Sequence, residues 1–488
     1  MTTLLEPNPA ITMKIDERKN TKIVATVGPA CSEYNQLLEL AKAGVNIFRL
    51  NFSHSEHSVH LQVIENIVAI NEKYGLHLGI LADLQGPKLR VGVIENNALL
   101  LNEGDIVTFV NKECIGTKEQ IYMSYQDFAR DVEVGEKVLL DDGKFVFEVV
   151  ETDKTSTVKL KVIYGGVLSS KKGVNLPDTK TSLPCLTEKD LRDLDFILTQ
   201  PVNWIALSFV RRAEDIMDLR QRIDAVRHPA LICAKIEKPE AIDNLDAIIK
   251  ATNAVMVARG DLGVEFPIEK LPLLQKEIVS KCIQRARPVI VATQMMESMI
   301  QNPSPTRAEV LDVANAVMDG ADAVMLSAET SVGKYPIETV KSMTRIILEI
   351  ERIPVRFKRP ESSEKSNIFI HDVVCLNAAK VAEDLKAKAI IGFTASGYTA
   401  FKVSSYRPRC DIFMFSDKPF MLETLNLVWG VKCFYYDKYT TTDETMADTV
   451  TILKEAKKIK VGDIIVNTGS MPLHKKLRTN MLKVSVVD

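Results

Sequence analysis

Lys235 and Glu237 stand two residues apart where the apolar run LICAKI passes into AKIEKPE, and Arg259, Gly260 and Asp261 follow in ARGDLGVE. Residues i and i+2 of a strand share a face, so Lys235 and Glu237 reach the same side of a sheet. Neighbouring strands lie about 4.8 Å apart, which lets Glu237 and Asp261 share one cation if the two runs are adjacent. One or two carboxylates plus substrate oxygens is the usual way of holding Mg²⁺, which keeps waters and favours phosphate partners. A lysine beside that metal brings a second positive charge to an oxyanion that forms during reaction. For AKIEK alone, a buried Lys–Glu ion pair inside a packed layer is an equal reading. The ARGD segment on the next strand tips the balance towards chemistry. By the same spacing, Arg49, Asn51 and Ser53 of RLNFSHS fall on one side.

Other polar residues mark strand ends. Asp83, Lys88 and Arg90 lie in DLQGPKLR, Lys171 and Lys172 in SSKKGVNLP, and Pro29 just after the first apolar run. A solvated hinge role is the simpler reading of the lysines taken singly. The sequence has no G-x-x-x-x-G-K-[ST] loop, so a nucleotide must be gripped by strand ends rather than by a phosphate cradle. His54, His57 and His60 follow i, i+3, i+6 spacing, which splays the outer pair by about 60° on a helix. Mg²⁺ avoids imidazole, so no metal is assigned to them. PTRAEV reads as a helix start, with Thr306 as N-cap and Glu309 closing a capping box.

These residues need a frame that brings many strand ends together. Eight short β-branched runs recur in two blocks, at 22–27, 46–50, 79–84, 204–209, 231–236, 254–258, 288–293 and 322–327, with helical lengths between them. Eight βα units predict a TIM (β/α)8 barrel over 21–90 and 174–355, with its site at the strand C-termini. The third gap is too long for a loop and alternates in period two with turn signals, which predicts an inserted all-β lid domain over 91–173. Residues 1–20 form an N-terminal segment. RPESSEKSN at 359–367 reads as a linker, and strands at 387–393, 410–415 and 462–467 predict a C-terminal doubly wound α/β domain over 356–488.

Composition narrows the partners. Lys plus Arg number 62 against 64 Asp plus Glu, which excludes the basic field that nucleic acid or an anionic membrane surface needs. The eight cysteines show no C-x-x-C pair or zinc spacing, and no run approaches a membrane span, so a cytoplasmic protein with reduced thiols is expected.

RLNFSHS, AKIEKPEAIDN, VARGDLGVE, VIVATQMMESM and PTRAEVLDVANAVMDGADAVMLSAET, in this order and spacing, resemble the motifs of the pyruvate kinase family from Lys22 to the C-terminus. The resemblance implies transfer of a phosphoryl group from phosphoenolpyruvate to ADP, giving pyruvate and ATP, with Mg²⁺ or Mn²⁺ as cofactor. It implies that Arg49 binds the substrate phosphate, that Lys235 stabilises the transition state and that Glu237 and Asp261 ligate the metal. Amides near Gly260 and Asp261 would hold the substrate carboxylate, with Thr293 close to the carbon that is protonated. Pro29, Asn51, His54, Arg90 and Lys172 would face the nucleotide, and a homotetramer is implied.

Asn51, Ser53, Asp83 and the carbonyl of Leu84 match the family's monovalent-cation pocket. K⁺-requiring relatives resemble DTKGPEIRT where this chain has DLQGPKLRV. From that departure we expect Lys88 to stand near Asp83 and replace K⁺, so that K⁺ is not required. GFTASGYTA resembles the family's effector turn, which points to Thr394, Ser396, Gly397 and Thr399 together with NTGSMP at 467–472. Ala395 and Tyr398 stand where bisphosphate-binding members often carry basic residues, so a sugar monophosphate is the expected effector. Two other readings compete. A carbon–carbon lyase would need neither the lid nor the lysine pair, and a sugar-phosphate sensor on a dead barrel would not keep Lys235, Glu237, Asp261 and Thr293.

Overall fold

The computed structural model describes residues 19–353, 369–438, 440–471 and 478–488. Most of the expected N-terminal segment, the linker at 359–367 and Pro472 of the second effector segment lie outside them. Eight parallel strands close into a barrel in chain order: β1 Lys22–Thr26, β2 Ile47–Asn51, β3 Gly79–Asp83, β4 Trp204–Leu207, β5 Leu231–Ile236, β6 Ala254–Ala258, β7 Val289–Ala292 and β8 Ala323–Leu326. Each coincides with one of the eight apolar runs. These runs carry few polar residues because both faces of a barrel strand are covered.

Alternation along the strands feeds two cores. Val24, Ile47, Leu81, Trp204, Cys233, Met256, Ile290 and Met325 fill the barrel interior. Their neighbours, such as Ile23, Phe48, Ile80, Ile205, Ile232 and Val255, pack outward on the helices. At the upper end the register sets Arg49 beside Thr26 and Leu81, Asn51 beside Asp83, and Asp83 beside Ala206. Side chains on consecutive strands therefore meet at one height.

The ARGD segment departs from expectation. Strand β6 ends at Ala258, and Arg259–Glu265 is a helix, α1, so Asp261 sits in a helical first turn rather than on a strand. PTRAEV starts helix α2, Arg307–Asp319, with the capping box between Thr306 and Glu309 formed as expected.

Between β3 and β4 the chain forms a six-stranded sheet and a separate two-stranded ladder with a core of their own, including Phe109, Tyr125, Phe147 and Leu160. The entry and return segments touch in a bridge between Arg90 and Gly173, so this all-β unit hangs over the mouth on a paired hinge.

The C-terminal unit holds helix α3 Phe369–Asp384, then β9 Ala389–Phe393, helix α4 Tyr398–Ser405, β10 Asp411–Ser416, helix α5 Pro419–Leu425, β11 Val431–Tyr435, β12 Ile464–Gly469 and β13 Met481–Val486. The sheet order is β11-β10-β9-β12-β13, parallel except for the last strand. Sequence reading finds three of these strands and misses β11 and β13, whose VKCFY and MLKVSV interleave charged or polar residues as edge strands do.

This unit closes the barrel floor. The interior core runs on through the floor into Phe401, Ile412, Met414 and Leu425. Trp204 Nε1 donates to Thr424 O at 3.1 Å, Lys22 Nζ to Val431 O at 2.7 Å, and Arg407 Nη2 to Asp322 at 2.9 Å. Glu423 on α5 accepts from Asn203 at 3.2 Å and Asn71 at 3.3 Å. Among the described residues, no helix is long and apolar enough to cross a membrane.

Burial raises the Glu423 carboxyl above its ordinary pKa, and the two amide donors offset only part of that. The native state then binds this proton more tightly than the unfolded chain. Its contribution to stability grows as pH falls through the raised native value and is lost as pH rises through it. Glu423→Gln should therefore gain thermal stability over the parent as pH rises from the ordinary carboxylate range to neutrality. Melting curves across that range check this, and a difference independent of pH would refute it.

Candidate active site

Asp83 closes β3 fully buried, and two cations converge on it. Arg49 on β2 donates through Nε at 2.7 Å and stands within 2.6 Å through Nη2, both to Oδ2. Lys235 on β5 brings Nζ to 3.3 Å from Oδ1. Burial opposes the charge of Asp83, but Lys235 and Arg49 outweigh it and hold the carboxyl below its usual pKa. Arg49 Nη1 also donates to Thr26 Oγ1 at 2.9 Å, so its guanidinium is fixed from two strands.

Lys235 is held from three sides. Its Nζ donates to Ser208 Oγ at 2.7 Å and lies 3.0 Å from Glu237 Oε1. Burial disfavours its charge, yet Asp83 and Glu237 raise its pKa above the ordinary lysine value, so it is an ammonium at neutral pH. Ser208 passes the contact on by donating to Leu84 O at 2.7 Å.

Glu237 follows β5 directly and is buried. Its Oε2 accepts the Phe209 N–H at 2.7 Å. Its Oε1 faces the Lys235 ammonium at 3.0 Å, a contact not aligned as a hydrogen bond. Burial pushes this carboxyl up, with Lys235 opposing and Asp261 reinforcing the shift. Two carboxylates close enough to be felt by one another and hard oxygen chemistry throughout fit a divalent cation of the Mg²⁺ type.

On the far side, Thr293 just beyond β7 lies close to Gly260, whose N–H donates to Thr293 Oγ1 at 2.7 Å; that hydroxyl donates to Ala292 O at 2.6 Å. Thr293 and Gln294 both adopt left-handed backbone, with φ of 68° and 53°. A β-branched residue there is an outlier of the kind found at functional sites.

The sequence of residues 18–340 matches the family described as "Pyruvate kinase, barrel domain", and residues 372–485 match "Pyruvate kinase, alpha/beta domain". The chain belongs to the pyruvate kinase family. It is 42% identical to a pyruvate kinase of Geobacillus stearothermophilus over 96% of this chain and 81% of that one. It is 40% identical to a pyruvate kinase of Mycobacterium tuberculosis over 95% of this chain and 97% of the relative. A solved pyruvate kinase from Cryptosporidium parvum superposes with a TM-score of 0.89 at 32% identity, over 96% and 97% of the two chains.

The remaining residues expected to face a nucleotide lie at strand ends and at the lid hinge. Asn51 ends β2 and accepts the Ser53 N–H at 3.1 Å. His54 is exposed beyond it; burial of its ring, then Lys88, Arg90 and Arg49, lower its pKa and keep it neutral at pH 7. Pro29 follows β1 in a turn. At the lid hinge Arg90 Nη1 donates to Lys171 O at 2.9 Å, and Lys172 pairs with Asp141 at 2.9 Å. His57 instead pairs with Asp193 at 2.8 Å and stacks on Phe196, while His60 bonds His54 O and stacks on Phe52, so both serve packing.

Lys88 is a correction. It is exposed, and its Cε points along the hinge, 3.8 Å from where a Cβ on Gly173 would stand. The ammonium that meets Asp83 is that of Lys235, while Lys88 lines the cleft between lid and barrel with Asp142, Phe209 and Asp261. The turn expected to bind an effector lies between β9 and α4: Gly397, at φ 83°, donates its N–H to Thr394 Oγ1 at 2.9 Å, and Ser396 is exposed. Thr399 is buried against Thr479, and Tyr398 donates to Asp372 on α3 at 3.0 Å. A basic residue that sequence reading missed, Lys418, reaches Ala395 O at 3.3 Å from the start of α5.

Arg259 is tied to the loop that carries Thr293. It pairs with both Asp312 oxygens on α2, at 2.6 and 2.7 Å, and donates to Thr293 O at 2.7 Å. A planar fork bridges these partners in a way a lysine cannot. Arg259→Lys should lower kcat by about tenfold or more and stability by about 2 kcal/mol, the scale of a lost charge-assisted hydrogen bond. Steady-state kinetics and melting read both; an unaltered kcat would show that Arg259 does not support the Thr293 loop.

Proposed function

We infer that this chain catalyses Mg²⁺-dependent transfer of the phosphoryl group of phosphoenolpyruvate to ADP, giving pyruvate and ATP. The observation that carries this reading is the buried Lys235 ammonium held between the carboxylates of Asp83 and Glu237 at the barrel mouth. Glu237 and Asp261 would hold the divalent cation, which when bound supplies Lewis-acid polarisation of substrate oxygens.

The residues divide the work by where charge develops. Arg49, fixed by Asp83 and Thr26, presents its free donors to the phosphoryl oxygens. The phosphorus–oxygen bond to the enol breaks as an ADP oxygen attacks in line, and the bonding pair stays on the enol oxygen. Lys235 lies in this low-dielectric pocket ready to stabilise the enolate without reorganisation. A proton from water, relayed beside Thr293, then reaches the methylene carbon and completes pyruvate. The all-β unit over the mouth excludes water that would otherwise accept the phosphoryl group. Pro29, Asn51, His54, Arg90 and Lys172 surround the nucleotide.

We also propose that K⁺ is not required, a reading supported by how the four pocket residues are used. Both Asp83 oxygens meet cations, Leu84 O accepts from Ser208, and Asn51 accepts from Ser53. The charge of Lys88 reaches the mouth through His54 rather than Asp83. We further read the turn at 394–399, with Lys418 beside it, as a sugar-monophosphate effector site in a cytoplasmic homotetramer.

A coupled assay with phosphoenolpyruvate, ADP and Mg²⁺ tests the reaction, and folded protein that releases no ADP-dependent pyruvate would overturn it. Lys235→Met should keep phosphoenolpyruvate binding and lose at least about 10³-fold in kcat, as for a group acting mainly in the transition state. At constant ionic strength, replacing tetramethylammonium by KCl should change turnover less than twofold by the same pocket argument. A large K⁺ stimulation would refute that part alone.

A further inference from the structure

The strand β4 ends at Leu207, and the next two residues do unusual things. Ser208 links Lys235 to Leu84 O through its hydroxyl, and Phe209 adopts left-handed backbone with φ of 56°. A bulky aromatic residue at positive φ is a genuine outlier that persists only where its surroundings over-determine it. Here the surroundings are visible. A Cβ on Gly86, itself at φ 69°, would stand 2.7 Å from Phe209 Cδ2 and 3.0 Å from Ser208 Cβ. The ring thus fills the space that the missing Gly86 side chain leaves. Gly86 is fixed in turn, since its N–H donates to Asp190 Oδ1 at 3.0 Å, and Cys185 Sγ donates to Ser208 O at 3.1 Å from behind.

The consequence lies across the mouth. The Phe209 N–H donates to Glu237 Oε2 at 2.7 Å, while Oε1 faces the Lys235 ammonium at 3.0 Å. Fixing one oxygen fixes the carboxylate plane and decides which oxygen is turned to Lys235. We propose that Phe209 is a positioning residue of the metal site: its left-handed backbone, wedged against Gly86, aims its N–H at Glu237 and holds the carboxylate in the plane in which it would meet the divalent cation. Gly86 belongs to the segment leading from β3 into the lid hinge, so the same contact ties the hinge to the metal carboxylate. The inference rests on the reading of Glu237 as a metal ligand.

The test is Mn²⁺ binding to substrate-free enzyme, read from the free-ion signal in electron paramagnetic resonance, so that turnover is not the readout. Phe209→Val, whose β-branch disfavours left-handed backbone, should weaken Mn²⁺ binding about tenfold or more, the usual cost of losing a partner that orients a ligand. Phe209→Asn, which tolerates that backbone, should stay within about threefold of the parent. Gly86→Ala, which pushes on the ring, should follow the valine variant. If the valine variant does not fold, Phe209→Ala against Phe209→Asn makes the same comparison.

Parent-like binding by the valine variant overturns the proposal. Equal losses in the valine and asparagine variants also overturn it, because the ring rather than the backbone would then matter. Parent-like binding by Gly86→Ala removes the link to the hinge. Glu237→Gln separates the two levels. If it too binds Mn²⁺ like the parent, the ligand reading has failed; if it binds weakly while Phe209→Val does not, only the positioning role has.

Discussion

One buried carboxylate, Asp83, organises the mouth of this barrel. It carries Arg49 on one oxygen and Lys235 on the other, from the strand beside it and from a strand two places away. Each cation would be costly to bury alone, and the shared anion with added hydrogen bonds from Thr26 and Ser208 makes both tolerable. The arrangement leaves excess positive charge facing the mouth, balanced on the other side by Glu237 and Asp261. A phosphorylated anion and a divalent cation together would complete that balance, which is why the site reads as chemistry rather than as a structural ion pair.

The rest of the fold serves that constraint. Eight strand ends at one level are what let groups from β2, β3, β5, β6 and β7 meet, and the closed register makes their heights agree. The floor is sealed by the C-terminal sheet through a core shared with the barrel interior. The roof is an all-β unit with its own core on a paired hinge, separate from the strands that hold the charges.

Much of this was legible in the residues. The eight apolar runs, the long period-two insertion and the i, i+2 pairs at strand ends depend on local spacing, and local spacing is what a sequence displays. Three features were not legible, for one shared reason. Whether Lys88 or Lys235 reaches Asp83 depends on the tertiary path after Gly86, which sets the nearer lysine in the cleft between lid and barrel. The partner of Arg259, Asp312, stands on a helix more than fifty positions later in the chain. The left-handed conformations of Phe209 and Thr293 are imposed by tertiary contacts, and nothing in LSF or VATQ announces them. The edge strands β11 and β13 were missed because their alternating polar residues obey the sheet edge rather than the core.

If Asp83 is the common anchor of Arg49 and Lys235, the two kinds of damage are not independent. The direct measurement is a kinetic double-mutant cycle on kcat with Asp83→Asn, Lys235→Met and the pair. The account predicts that each single change is severe and that the double variant loses clearly less than the product of the two, because part of the anion's work is done through the lysine it holds and the rest through Arg49. Losses that multiply, so that the double variant falls by the product of the two single effects, would contradict it.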